Sequence, residues 1–514
     1  MPVFFTSLHF AGFRLLYLLS RWNFFFSAAF SVVMYDFFSA AVNDRCAETI
    51  NAICKDACSW QKGAGRICLF IFAADQLILA AGLIFCSLKN DGTHYFLSVF
   101  PKMYLINILI PQLIFIGIAY IASCISEKNK IAANSCLVFM LIMMSPLLER
   151  FVWREKPKGI LIDRILKKIR WIFSVFYQNA IWSPDTQYGL QTEDARLELQ
   201  LFWIFGIAAV LLWIYRKESL RKKAAAFLCG GTAFILAVFS YLPSSMYRLD
   251  ESWDGIFEDV AYYSDEENGI PAPSAKEPDL KIEAYNLTVD ISSRLKVDGE
   301  LRLSSEKPKD EFILTLYHGY QVKEITSEEM EIAYERQEDR IILKFPEAVD
   351  QCTFRIVYEG SSGKYYSNSQ AIMLPGYFPW YPMAGDRQIF VQYPNYTGGN
   401  GYDPYNRVSP AEFTLTVHTR CDFVTNLKET AENVYEGRSD SISLIGGYIE
   451  KNENTKFLNY LPLELSDETE QSYMDEIAGC WEQMLTEAEE VFGLDTKKLR
   501  EKRLRKVFPD SCSA

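Results

Sequence analysis

The sequence predicts a membrane α-helical bundle of six or seven spans, then an extracellular, mostly-β domain (an antiparallel sandwich or curved sheet) and a C-terminal helix. Three observations predict it. Long apolar runs recur up to residue 243 and not beyond; the last, Ala224 to Pro243, carries no charge, and a helix of that length matches a hydrocarbon core of roughly 30 Å. From Lys281 the hydrophobic period changes from helical to alternating. The charge changes sign as well: residues 1–241 hold 24 Lys and Arg against 15 Asp and Glu, and the remainder holds 28 against 50. The halves therefore face different surroundings, one lipid and cytoplasm, the other a solvated exterior. An acidic outer half excludes nucleic acid as a partner, because that needs basic patches. The expected boundaries are 1–245 for the membrane domain, 246–280 for an acidic, proline-containing linker, 281–463 for the β-domain, and 464–514 for an amphipathic helix and basic tail.

In chain order, His9 to Arg21 reads as a short amphipathic entry and Trp22 to Val42 as the first span. The polar loop Asn43 to Gly65 carries Cys46, Cys54 and Cys58, an odd set whose pairing does not follow from sequence. Further spans follow at Ile67–Leu88, Met103–Ile125 and Ile131–Leu148. Arg150 to Arg170 holds eight Lys and Arg against two acidic residues, the strongest signal for a cytoplasmic loop. Leu199–Tyr215 and Ala224–Pro243 are separated by another basic stretch, RKESLRKK. Between the basic loop and the acidic stretch Ser183–Glu198 only Trp171 to Trp182 can cross, and twelve residues reach about 18 Å as a helix. A crossing completed by its flanks makes seven passes with the C-terminus outside; a re-entrant or interfacial segment makes six. Asp75 sits mid-span and is the candidate intramembrane functional residue, since a carboxylate in lipid is expensive; a packed helix contact assisted by Gln76 is the plainer reading.

The segment Ser87 to Phe115 (SLKNDGTHYFLSVFPKMYLINILIPQLIF) carries Gly92, Thr93 and Pro101 in a polar connection before the third span. This arrangement resembles the permease subunits of ABC-type exporters. The resemblance implies a separate ATPase subunit docked on cytoplasmic loops, and the candidate contacts are Lys89, Gly92, Thr93, Pro101, Lys102, Arg164, Lys167 and Lys168. Lipid, a second copy in a homodimer and an extracellular ligand complete the expected partners. The chain has no ATPase of its own. Gly360 to Lys364 imitates a phosphate loop, but Tyr358 stands where its first glycine belongs.

In the outer half the linker is broken by Pro271, Pro273 and Pro278, and Trp253 to Tyr263 (WDGIFEDVAYY) reads as a short helix. Strands follow with alternating apolar residues: Leu287/Val289/Ile291, Leu295/Val297, Leu301/Leu303, Phe312/Leu314/Leu316 and Cys352/Phe354/Ile356/Tyr358. A second group, Phe413/Leu415/Val417, Phe423/Val424 and Ile442/Leu444, closes the sheet. Between the groups lies LPGYFPWYPMAGD. Its Tyr377, Phe378, Trp380 and Tyr381 form a candidate outer binding ridge if solvent-facing, or a wedge of proline-fixed aromatics in the core, which is the stronger reading. From Leu465 a helical stripe runs through Met474, Ile477, Trp481, Met484/Leu485, Ala488 and Val491/Phe492, with Gly493 as the stop.

YHGY (Tyr317 to Tyr320), LPGYFPWYP (Leu374 to Pro382) and EFTLTVHTRCDFVTNLKE (Glu412 to Glu429) are similar to the N-terminal β-domain of zinc aminopeptidases of the aminopeptidase N type. That family holds zinc with HExxH, two histidines one helical turn apart. The chain has four histidines, His9, His94, His318 and His418, and none lies in that motif. No catalytic residue, metal or cofactor is therefore expected. The readings that remain are a permease-like transporter subunit with a non-catalytic outer domain, a truncated or split membrane-anchored zinc aminopeptidase, and a membrane-anchored sensor or binding module. The expected location is a bacterial plasma membrane.

Overall fold

A computed structural model describes residues 11–43, 46–54, 59–87, 93–126, 129–145, 172–176, 192, 194–214, 220–241, 259, 262–263, 280–292, 294–362, 364–392, 400–403, 406–447, 451–452, 457–460, 480, 482–497 and 504–506. The chain forms two compact units: Met1–Thr186, Leu190–Pro243 and Glu453–Arg505 in one; Gln187–Gly189, Ser244–Asn452 and Lys506–Ala514 in the other.

The first unit is helical. α1 (Ala11–Asn43) merges the expected entry helix and first span into one helix, as a run free of Gly and Pro from Phe13 onward allows. Its inward stripe is Leu16, Ser20, Asn23, Phe24, Ser27, Ser31, Met34 and Phe38. The small serines let neighbouring backbones approach closely. α2 (Cys46–Cys54) and α3 (Ser59–Ser87) follow. α4 (Thr93–Tyr104) runs through a π-helical turn, Leu105–Leu109, into α5 (Ile110–Ser126). Asn129 caps α6 (Lys130–Met143) by accepting from the Ala132 amide at 3.1 Å. α7 (Asp194–Ile214) and α8 (Leu220–Tyr241) follow, and the unit also takes in residues 482–492 of the C-terminal part. One apolar cluster joins Phe24, Ile114, Phe115, Ile118, Leu137, Val175 and Phe176; a second joins Met34, Phe38, Cys68, Phe72, Ile116 and Ala119.

The span count is corrected. Among the described residues four helices are long and apolar enough to cross a membrane: Leu18–Ala40, Gly63–Cys86, Phe100–Ser126 and Arg196–Ile214. The expected spans at 131–148 and 224–243 appear as shorter apolar helices, Lys130–Met143 and Lys223–Leu236. Residues 172–176 do not form a continuous helix. Their irregular backbone is buried, and Gln200 and Trp203 donate to the carbonyls of Val175 (3.2 Å) and Ile172 (2.6 Å). Irregular backbone inside an apolar bundle requires such internal partners.

The second unit is built on β1 (Leu280–Ile291) and two 21-residue strands, β2 (Leu295–Thr315) and β5 (Arg340–Gly360). β3 (Tyr320–Thr326) and β4 (Ala333–Gln337) pair along β5. Register shifts between Ser304 and Glu311 bend the long β2–β5 ribbon. Later strands are β6 (Ile372–Leu374), β7 (Met383–Ala384), β8 (Phe390–Gln392), β9 (Asn400–Tyr402), β10 (Ala411–Thr419), β11 (Phe423–Thr425), β12 (Lys428–Ala431), β13 (Val434–Ser439) and β14 (Leu444–Gly446). The main sheet runs β12-β13-β10-β1-β2-β5-β3, with β4 on β5 and β7 on β2. A separate small sheet has the strand order β11-β14-β6. The sheet is not wholly antiparallel as expected: β10 lies parallel to β1, Leu287 opposite Leu415 and Val289 opposite Val417. The long excursion between β1 and β10 permits this, since parallel neighbours need an extended connection.

The aromatic stretch is core, so the expected outer ridge is not formed. Phe378, Trp380 and Tyr381 are each 0% exposed, and Tyr377 is half-buried. Trp380 Nε1 donates to the Ile442 carbonyl at 3.1 Å, and Tyr381 donates to Gly376 O at 3.1 Å. Tyr285 and Tyr358 donate to the carbonyls of Pro382 (3.0 Å) and Trp380 (2.9 Å). Prolines remove donors from this backbone, and buried tyrosines supply the missing ones. In the C-terminal part, residues 482–492 are helical, and Gly493, at φ 64°, donates to Glu489 O at 3.0 Å to end the helix.

Candidate functional site

Each unit carries one concentrated set of buried polar side chains. In the second unit, expected from the sequence to be the outer one, it gathers around His318, in the turn between β2 and β3. The β4–β5 turn is Glu338-Asp339, with Glu338 at φ 55°; its Asp339 carbonyl accepts from the Leu316 amide at 2.8 Å. This brings the Asp339 carboxylate onto the His318 loop. Asp339 Oδ1 accepts from the His318 backbone amide at 2.6 Å and lies 3.2 Å from Nδ1. On the other side, His318 Nε2 lies 3.5 Å from Asp259 Oδ1.

Asp259 comes from the linker that follows the last apolar helix. It is 3% exposed. Tyr317 donates to it at 2.9 Å, and Tyr402 donates to its other oxygen. The same linker places Tyr262 flat on the His318 ring, centroids 3.8 Å apart at 21°, and Tyr263 against Phe390 at 5.1 Å and 12°. Tyr263 also donates to Asp339 Oδ2 at 2.9 Å. Burial pushes the Asp259 carboxyl up, a rise that the Tyr402 and Tyr317 hydroxyls and His318 only partly offset and that Asp339 increases. Arg336 holds the loop by donating to Leu316 O and Tyr317 O at 2.7 and 3.1 Å, and burial lowers its guanidinium. Both ring nitrogens of His318 face carboxylates, so neither is left to activate a nucleophile. Among the described residues no grouping of His, Cys, Asp and Glu could hold a metal ion.

In the helical unit the polar set surrounds the π turn. A π turn displaces backbone carbonyls from their usual partners. Asn23 of α1 donates to the carbonyls of Asn107 (2.9 Å) and Ile108 (3.2 Å). Gln200 of α7 donates to Ile106 O at 2.7 Å. Gln112 donates to Asn23 Oδ1 at 2.7 Å, and Gln76 of α3 donates to Gln112 Oε1 at 2.8 Å. Tyr104 donates to Gln76 Oε1 at 2.7 Å. Four helices are thereby stitched through amide side chains. Asp75 stands at the outer end of this chain, exposed on α3, and accepts from Gln76 at 3.2 Å.

Of the expected ATPase contacts, Lys89, Gly92, Arg164, Lys167 and Lys168 lie outside the described residues. Thr93 opens α4; Pro101 and Lys102 lie exposed within it, and Lys102 pairs with Asp194 at 3.4 Å. Asp75 and Gln76, neighbours on α3, share a hydrogen bond, and Asp75 is exposed. His418 is exposed on β10. Sequence reasoning missed Asp259, Asp339 and Tyr402 as partners of His318. The available signal was the acidic–aromatic segment DVAYY together with a lone histidine set between tyrosines in YHGY. It also missed Asn23, Gln112 and Gln200, amides visible inside otherwise apolar runs.

No family model matches the chain, and no curated protein matches it. Solved structures that it is similar to include an M1 zinc metallopeptidase from Deinococcus radiodurans, at 15% identity over 36% of this chain and 45% of that one, with a TM-score of 0.23. Native yeast LTA4 hydrolase is another, at 15% identity over 44% of this chain and 39% of that one, with a TM-score of 0.27. The chain spans less than half the length of either. Likenesses this distant transfer no activity.

Proposed function

We propose that the chain is a multi-pass membrane protein whose helical unit works as a permease-like subunit of an ABC-type transporter, with a non-catalytic outer domain of the aminopeptidase N-terminal kind. One observation carries this reading: the amide network around the π turn. Asn23, Gln76, Gln112 and Gln200 come from four different helices and bond one another and the carbonyls of the π turn, and polar groups inside a membrane bundle are candidates for its working parts. Lipid contact is supported by the outward side chains: Phe70 is 76% exposed, Ile78 74% and Phe227 74%. On this reading ATP is hydrolysed by a separate subunit at the cytoplasmic loops, the outer domain faces the exterior of a bacterial plasma membrane, and a second copy of the chain or an extracellular ligand completes the assembly.

The second reading, a membrane-tethered peptidase whose zinc-binding part lies on another polypeptide, is supported by the LPGYFPWYP resemblance. Mass spectrometry of proteins that co-purify with the detergent-solubilised chain from its native cells separates the two. A stoichiometric ATPase lost on charge reversal at Lys102 supports the transporter subunit. A stoichiometric HExxH polypeptide without an ATPase overturns it in favour of the peptidase.

A further inference from the structure

The outer unit contains a docking site whose occupant is the chain's own linker. Two walls of the site are turns that the sheet holds in place: Tyr317–His318 after β2, and Asp339 between β4 and β5. The third wall is Phe390 of β8 and Tyr402 of β9. Into it the linker inserts a carboxylate and, three and four residues later, two aromatic rings. Asp259 enters the pocket and Tyr262 covers His318. Tyr263 stacks on Phe390 and donates to Asp339 at 2.9 Å. The site is chemically matched to this occupant. Two tyrosine hydroxyls point at the carboxylate, an imidazole stands between it and a second carboxylate, and flat rings receive flat rings.

We propose that this pocket is a proton-sensitive clasp for the acidic–aromatic linker, closed when Asp259 carries a proton and loosened as it loses it. The sign follows from the groups that face Asp259. From its own segment come Tyr262 and Tyr263. From the β2–β3 turn come Tyr317 and His318, from the β4–β5 turn Asp339, and from β9 Tyr402; Arg336 and Glu338 of the same hairpin act on Tyr262. Docked, Asp259 is shielded from water and lies near Asp339, and both effects push its carboxyl up. Released, it is an ordinary carboxyl. The docked state therefore binds the proton more tightly, so acid favours docking. Docking weakens as pH rises through the raised value, by up to tenfold per pH unit for one proton. The clasp does not depend on the transporter reading, and its test reads the linker alone.

The test is hydrogen exchange by mass spectrometry on the full chain in detergent, from about pH 4 to about pH 8, with exchange times corrected for intrinsic chemistry. The expected result is that protection of the peptide holding Asp259 to Tyr263 falls as pH rises across that range, while β2 and β5 peptides keep theirs. Asp259→Asn retains an acceptor for the tyrosines but cannot titrate, and its protection profile is expected to flatten. Asp259→Ala is expected to lose protection at every pH. A flat wild-type profile overturns the proposal, and so does an Asp259→Asn profile that follows wild type.

Discussion

Trp380 shows what one side chain does in the outer unit. Its ring is fully buried, its Nε1 donates to Ile442 O, and its own carbonyl accepts from Tyr358. Trp380→Ala removes a large buried ring and leaves the Ile442 carbonyl without that donor. The expected cost is about 3–5 kcal/mol of outer-unit stability, read as a lower denaturant midpoint with an unchanged slope. The burial of this ring was legible in the sequence, because a wedge of aromatics between prolines has few donors and much apolar area. Its partners were not, since Ile442 lies 62 residues away. The His318 site shows the same limit more strongly. Asp259 and Tyr402 are 143 residues apart, and no local spacing relates them. His318 itself could be singled out, but not the two carboxylates that hold it.

At the scale of elements, alternation was a reliable guide and connection length was not. The burial pattern of β1 from Tyr285 and of β2 up to Leu303 follows the alternation of the sequence, because side chains of a strand point to opposite faces. Which strand pairs with which depends on the register bends in the β2–β5 ribbon and on the return of β10 beside β1, and these are long-range choices. One such choice rests on Gly360. A Cβ there would lie 2.1 Å from the Gly319 carbonyl oxygen and 2.8 Å from Tyr320 Cα, both backbone atoms that cannot step aside. Gly360→Ala should therefore unpair the start of β3 from β5, at a cost of about 1–3 kcal/mol. Faster amide exchange at Tyr320 to Val322, with β1 unchanged, is the expected reading. In the helical unit the apolar runs were legible but their ends were not, because α4, the π turn and α5 continue through the expected loop boundary. Asn23 is the element-level test there. Asn23→Leu leaves the carbonyls of Asn107 and Ile108 without their donor and removes the acceptor used by Gln112. A loss of about 1–2 kcal/mol is expected in the thermal stability of the helical unit in detergent, whereas Phe70→Leu, on an outward face, should change little.

For the whole molecule, the charge asymmetry and the change of hydrophobic period near residue 280 already divide the chain. The structure gives that division a physical basis. The large core cluster of the outer unit runs from Leu280 to Leu444, and every buried member comes from that stretch; Tyr263 of the linker packs against it. None of its members is contributed by a helix of the first unit. A segment that holds its own core is expected to fold without its neighbour. Residues 244–452 expressed alone should therefore be soluble and monomeric, and should melt in one cooperative transition at the midpoint that the outer unit shows within the full chain. The Asp259 clasp should survive in the fragment, because both of its halves lie inside it. Aggregation, or a midpoint well below that of the full chain, would mean that the helical unit shields outer-domain surface. The two units would then have to be treated as one folding unit, despite separate cores.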